Sequence, residues 1–196
     1  MKRTITAIGL RAKTARAIAV LISGTVDAPV ALSRHELIFA TPKTPATFQP
    51  YHEVMDEPWE RAQALAKKSE SMLVANAAKA LRQLIDQADS ASVVLVGVVG
   101  APDRQLQKIG SPHIRAHAAE GVLFRRILEL AAKEIGVECR TYAEKDLQKQ
   151  ATAKLGVSEY AISQKLSEFG KVVGRPWRAD EKAAAIGAWL AVAEHK

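Results

Sequence analysis

Apolar positions along the chain fall into two kinds of run. Ile5, Ala7, Ile8 and Leu10, then Ala15 to Ile22 broken only by Arg16, are too continuous for strands with one wet face. They predict two central strands joined by a short basic turn, Arg11-Ala12-Lys13. After Gly24 and Asp27, residues 29–40 mix Val30, Leu32, Ile38 and Phe39 with Arg34 and Glu36, the pattern of an outer strand with one solvated face. Three sequential strands at short spacing predict an antiparallel meander. Residues 41–58 hold four of the eight prolines and read as a long loop. Residues 59–88 carry Ala62, Leu65, Ala66, Leu73, Ala77, Leu81, Leu84 and Ile85 at helical spacing, which predicts one long amphipathic helix.

Asp89 and Ser90 end that helix, and residues 92–99 form an all-apolar strand of the kind buried on both faces in a parallel arrangement. A loop at 100–112, a helix at 113–135 stopped by Gly136 and a short strand at 137–142 continue the α/β alternation. Two short helices follow at 144–154 and 158–170, the second with Ser158 as its N-cap. Asp180 then opens a final Ala-rich helix ending near Glu194. Parallel strands bridged by a helix require a right-handed crossover.

Composition narrows the class. A chain of 196 residues with 48% hydrophobic content suits a single domain over residues 1–196, with the Pro-rich loop at 41–58 as its irregular part. No apolar run approaches membrane-spanning length and no leader pattern follows Lys2-Arg3, so a soluble, cytoplasmic protein without a membrane partner is expected. The lone Cys139 reads as a small apolar residue. The net charge of +7 is uneven: Lys2, Arg3, Arg11, Lys13 and Arg16 crowd an acid-free first segment, while Glu53, Asp56, Glu57 and Glu60 form an acidic patch. Such a field suits nucleic acid approaching one face.

The order of elements resembles the ribonuclease-H-like superfamily, and within it the Holliday-junction resolvases of the RuvC type. Ile8-Gly9-Leu10 before a basic turn resembles that family's first-strand signature, in which apolar-Gly-apolar precedes the first catalytic Asp. The long helix running into residues 92–99 resembles the segment that ends with the catalytic Glu. Tyr142 with Lys145, Lys149 and Gly156 resembles a basic stretch leading to a helix near substrate. Residues 178–188 resemble the closing Asp-x-x-Asp-Ala-x-Ala helix. The resemblance implies an α/β fold with a mixed five-stranded sheet, an antiparallel three-strand meander plus parallel strands, flanked by helices.

That family's chemistry needs three or four carboxylates around two divalent cations, Mg or Mn. Carried over residue by residue, the first Asp falls on Arg11, the strand Glu on Val96 or, one register away, Gly97, and the last pair on Asp180 and Ala183. If the alignment holds, Arg11, Val96, Asp180 and Ala183 meet at one end of the sheet. One acid of four does not hold a pair of hard cations, so the resemblance implies a catalytically degenerate relative with no metal cofactor. Relocated acids are the alternative, with Asp103, Glu120, Asp180 and Glu181 as candidates; against it, Asp180 reads as a helix N-cap, Glu181 as a first-turn acid and Asp103 as a turn residue. His113 and His117 lie four apart on one helix face, and no third metal ligand stands at fixed spacing from them.

The resemblance also places Arg11, Lys13, Arg16, Lys145, Lys149, Lys154, Arg175 and Arg178, with Trp177, around one sheet end as a cationic cleft for phosphate. Trp189 reads as a core anchor, and Trp177 as either an anchor or a base-stacking platform. Three functions follow: a non-catalytic nucleic-acid-binding or assembly protein, with DNA the expected partner; a metal-dependent structure-specific nuclease with relocated acids; and a protein-interaction scaffold. Ala75, Ala77, Ala78 and Ala80 suggest a small-residue face for a homodimer.

Overall fold

A computed structural model describes residues 5–88 and 93–195. The helix break expected at Asp89 and Ser90, and the strand's first residue Ser92, lie outside the described residues. The sheet has five strands: β1 (Ile5–Lys13), β2 (Arg16–Gly24), β3 (Pro29–Ile38), β4 (Val93–Gly100) and β5 (Glu138–Ala143), in the order β3-β2-β1-β4-β5. The first three pair antiparallel, and β4 and β5 run parallel to β1. This is the mixed sheet expected, with β1 in its middle.

The first hairpin turns later than its charges suggested. Arg11, Ala12 and Lys13 continue β1, and the reversal falls on Thr14 and Ala15, the latter at φ 57°. The Ala15 carbonyl accepts the N–H groups of Phe39 at 3.1 Å and Ala40 at 3.2 Å. That anchorage to the residues following β3 offsets the left-handed backbone of a non-glycine residue. Arg11 is therefore a strand residue.

Alternation along β1 sorts its side chains. Ile8, Leu10 and Ala12 join Val96 and Val98 under helices α3 (Glu70–Gln87) and α4 (Pro112–Glu134). Ala7, with Leu95 and Val99, faces the last helix, α7 (Ala179–Glu194). Short helices α1 (Pro45–Phe48) and α2 (Trp59–Lys67) precede α3. The single helix expected over 59–88 is thus interrupted at Lys68 and Ser69, where neither Gly nor Pro marks the sequence. On the same helix, Ala77 and Ala78 are buried in the core, Ala80 is half-buried and only Ala75 is exposed. The expected dimer face is therefore not a free surface: its small residues seat α3 on the sheet. Helices α5 (Leu147–Leu155) and α6 (Glu159–Val173), the latter capped by Ser158, complete the second layer with α7. Cys139 is half-buried; burial pushes its thiol up to about 12, with Glu129 adding to the shift. No helix among the described residues is long and apolar enough to cross a membrane.

Close backbone packing sets where α7 lies. A Cβ at Gly9 would stand 1.7 Å from the Ala184 carbonyl oxygen, and one at Gly97 would stand 2.2 Å from that of Gly187. The Gly of the first-strand signature thus lets helix and sheet approach to backbone contact. This docking carries the first turn of α7 over the end of β1.

Candidate functional site at the end of the central strands

Arg11 stands near the end of β1, paired in register with Ile18 on β2 and Val99 on β4. Val96 pairs with Ile8 and faces the α3–α4 layer, whereas Gly97 sits beneath Gly187. The four positions aligned from the sequence therefore do not all meet. Arg11 and Asp180 do, Val96 faces the opposite side, and the residue beside Arg11 on the shared face is Val99. Ala183, one helical turn beyond Asp180, is half-buried against apolar neighbours. Gly97, the alternative one register away, lies on the shared face, and the apolar residues around it leave no charged mark of register in the sequence.

Only 8% of Arg11 is exposed, so its charge requires partners. Its Nη2 lies 2.5 Å from Oε1 of Glu144, a residue of the 3-10 turn that follows β5. Nη1 donates to the Ala12 carbonyl at 3.0 Å. Nε is 3.5 Å from Oδ1 of Asp180, close enough for ionic attraction yet without a hydrogen bond. Lys13 Nζ approaches both Asp180 oxygens, at 3.1 and 3.3 Å. Two cations and two carboxylates thus interlock, and their formal charges cancel.

The first turn of α7 is organised by Glu181 rather than by Asp180. The helix starts at Ala179, and the Arg178 N–H donates to Glu181 Oε2 at 2.8 Å. Glu181 is buried, and Arg34 Nη2 meets its other oxygen at 3.3 Å. Asp180, expected as the N-cap, is the second helical residue and is left to turn toward Lys13. Asp103, the other weak metal candidate, pairs with Arg125.

The remaining basic candidates divide by position and by partner. Arg16 opposes Lys13 across the hairpin and pairs with Glu36 at 2.5 Å. Lys154 does not belong to this end: it pairs with Glu194 in the last turn of α7, about 21 Å along that helix from Asp180 at 1.5 Å per residue. Glu194 also accepts the Tyr142 hydroxyl at 2.5 Å. Burial raises and these two hydrogen bonds lower the Glu194 carboxyl, and the bonds prevail; burial and Glu194 push the Tyr142 hydroxyl upward. Lys145, Lys149, Arg175 and Arg178 are exposed, and their side chains have no ion-pair partner among the described residues. Lys145 follows Glu144, and Arg175 and Arg178 lie five and two residues before Asp180. Trp177 is half-buried over Gly170 with its indole nitrogen buried, so it is an anchor more than a platform. Trp189 donates to the Val26 carbonyl at 3.0 Å and meets Phe169 edge-on at 6.1 Å, as a core anchor would.

A cleft of about 210 Å³ opens beside this cluster, lined among others by Arg11, Lys13, Glu144, His117 and Glu120. Its histidine wall was only half visible in the sequence. Ser111 caps α4 and Pro112 opens it, which puts His113 and His117 on adjacent turns. The segment before α2 crosses over them: Tyr51 stacks on Trp59 at 5.7 Å, and the Arg115 guanidinium lies 5.4 Å from the Trp59 ring centre. His52 is thereby held with its ring 4.3 Å from that of His117 and 5.3 Å from that of His113. Glu120 is almost wholly buried and accepts both the His52 backbone N–H at 3.2 Å and its Nδ1–H at 2.9 Å.

The side chains at the strand end do not fit a pair of hard dications. Arg11 and Val99 occupy the adjoining strand positions, Asp180 is engaged by Lys13, Glu144 by Arg11 and Glu120 by His52. Such a pair needs several carboxylate oxygens free to converge.

Neither a family model nor a curated protein sequence matches the chain. Solved structures do. The structure of RuvC from Thermus thermophilus aligns over 95% of this chain and 92% of its own, with a TM-score of 0.52 and 12% identity. The same organism's RuvC in complex with Holliday junction substrate aligns over 95% and 91%, with a TM-score of 0.49 and 12% identity. An Aquifex aeolicus PPX-GPPA enzyme covers 79% of this chain and 42% of its own, with a TM-score of 0.37 and 8% identity. At 12% identity the likeness is one of fold: the chain has the ribonuclease-H-like arrangement of RuvC.

Proposed function

We propose that this chain is a non-catalytic nucleic-acid-binding protein built on a RuvC-like fold, with DNA as its partner. The observation that carries the reading is the compensated cluster at the end of β1, where Arg11 and Lys13 hold Asp180 and Glu144. A buried guanidinium standing at the place of the first acid repels the ions that the fold's nucleases use, and the only aligned acid, Asp180, is neutralised by its neighbours. Binding falls instead to the unpaired cations. Lys145 follows Glu144 in the chain, Arg175 and Arg178 lie five and two residues before Asp180, Lys149 is exposed on α5, and the net charge is +7. Their contacts would be to phosphate, giving affinity without sequence preference.

The test is a titration of a four-way DNA junction at increasing salt, with the strands checked for cleavage in Mg and in Mn. Four phosphate contacts would make log K fall against log salt with a slope of about −3 to −4, and the strands stay intact. Cleavage that Asp180→Asn abolishes would establish a nuclease with relocated acids and overturn the proposal. Absence of salt-dependent binding to any nucleic acid would also overturn it and leave the protein-interaction scaffold.

A further inference from the structure

We propose that His52, His113 and His117 form a transition-metal site, zinc being the ion that its donors fit, separate from the carboxylate positions of the fold's nucleases. Each contributes a ring nitrogen, and these atoms lie within 4.8 Å of one another. Nε2 of His113 and Nε2 of His117 are 3.1 Å apart. Zn–N bonds of about 2.0–2.1 Å in tetrahedral geometry put ligand nitrogens about 3.3 Å apart, so this pair already spans one edge of such a site. The i, i+4 spacing on α4 fixes two corners, and His52 supplies the third from a segment more than 60 residues upstream.

Two further features point to a ligand. Nδ1–H of His52 donates to the buried Glu120, which fixes the tautomer and directs the lone pair to Nε2. A carboxylate behind a ligating histidine is the usual means of orienting the ring and raising its basicity. Nε2 of His52 is itself buried and has no hydrogen-bond partner. A hydrogen bond between His113 and His117 accounts for those two rings, but it leaves this third nitrogen unsatisfied. A metal at the centre of the triad satisfies all three. Imidazole donors select zinc and its transition-metal neighbours over Mg or Ca. Three protein ligands leave one tetrahedral position open, and His117 and Glu120 line the cleft that also holds Arg11 and Lys13. An anion bound at the open position would meet those two cations.

The test uses the full chain, stripped with chelator and dialysed against zinc alone, with bound metal counted after gel filtration. The expected result is one zinc per chain, weakened at least 100-fold in His113→Ala and His117→Ala. Both histidines are exposed, so alanine there leaves the core intact. Glu120→Gln is expected to weaken zinc by 10–100-fold, the usual effect of removing a supporting carboxylate. Cobalt substituted for zinc should give the intense visible absorption of a tetrahedral ion, shifted by inorganic phosphate. His35→Ala, remote from the triad, is the control and keeps full binding. Zinc that does not bind, or that binds undiminished when both His113 and His117 are replaced, overturns the proposal.

Discussion

Arg11, Lys13 and Glu144 line one wall of the cleft, the two cations also holding Asp180, whereas His117 and Glu120 line the other, His117 gathered with His52 and His113 and Glu120 bonded to His52. Both walls gather ionisable groups whose charges or lone pairs need satisfying. On the first wall the needs are met from within: each carboxylate is held by a cation, and nothing remains to recruit a metal. On the second, Glu120 satisfies one nitrogen of His52 and leaves the other bare. A cluster's capacity to bind is set by what its members leave unused, not by how many titratable groups it contains.

The largest effect expected is on the support beneath the first wall. Gly9→Val or Gly97→Val places side-chain atoms inside the backbone of α7, so α7 cannot dock. Overpacking typically costs 1–3 kcal/mol, and a clash against backbone should exceed about 3 kcal/mol. Chemical denaturation followed by circular dichroism would show it, and a loss below about 1 kcal/mol would mean that α7 is not seated as described.

Next comes the contrast between the walls themselves. Glu120→Ala strands two His52 donors in a buried site and should cost about 2–3 kcal/mol. Arg11→Met should cost no more than about 1 kcal/mol: Asp180 keeps Lys13, the exposed Glu144 rehydrates, and replacing a buried ion by an apolar side chain is often near neutral. Equal costs in parallel urea titrations would erase the distinction between the walls.

A smaller effect belongs to the exposed cations. Each charge-neutral replacement of Lys145, Lys149, Arg175 or Arg178 should reduce the salt slope of DNA binding by about 0.9 for the one phosphate that side chain neutralises, with little change in stability. If Arg11→Met changes the slope more than these do, the compensated wall is the DNA-binding surface after all.

The smallest concerns acid. Hydrogen bonds to Lys154 and Tyr142 hold the Glu194 carboxyl below its ordinary value despite burial. Its contribution is therefore present above the unfolded-state value, about 4.3, and is lost as pH falls through the lower folded value. Glu194→Gln should remove that part of the acid sensitivity in pH-dependent melting. A wild-type protein that gains stability on the same descent would reverse the sign.

Much of this architecture was legible because strands buried on both faces leave continuous apolar runs. The meander, β4 and α7 all read directly from such runs or from amphipathic spacing. What escaped depended on distant partners. Arg11 and Lys13 read as a turn because they are charged; the burial of Arg11 and half-burial of Lys13 within a strand depend on Glu144 and Asp180, far along the chain. Register within the apolar residues of β4 had no charged marker, and the residue paired with Arg11 proved to be Val99, beyond both Val96 and Gly97. His113 and His117 were visible as a pair, yet His52 lies in a Pro-rich segment with no periodicity to tie it to α4. Glu120 stands on the same helix as the histidine pair, but its partner is His52, so no spacing within α4 announced the supporting carboxylate.

A count of bound manganese tests most directly whether the end of β1 is charge-compensated and takes no dications. Free Mn is followed by electron paramagnetic resonance as it is titrated to millimolar levels into the wild type and into Asp180→Asn. The two proteins should bind the same amount. One or two manganese ions per chain that disappear on Asp180→Asn would contradict the claim and restore a metal-dependent nuclease at this site.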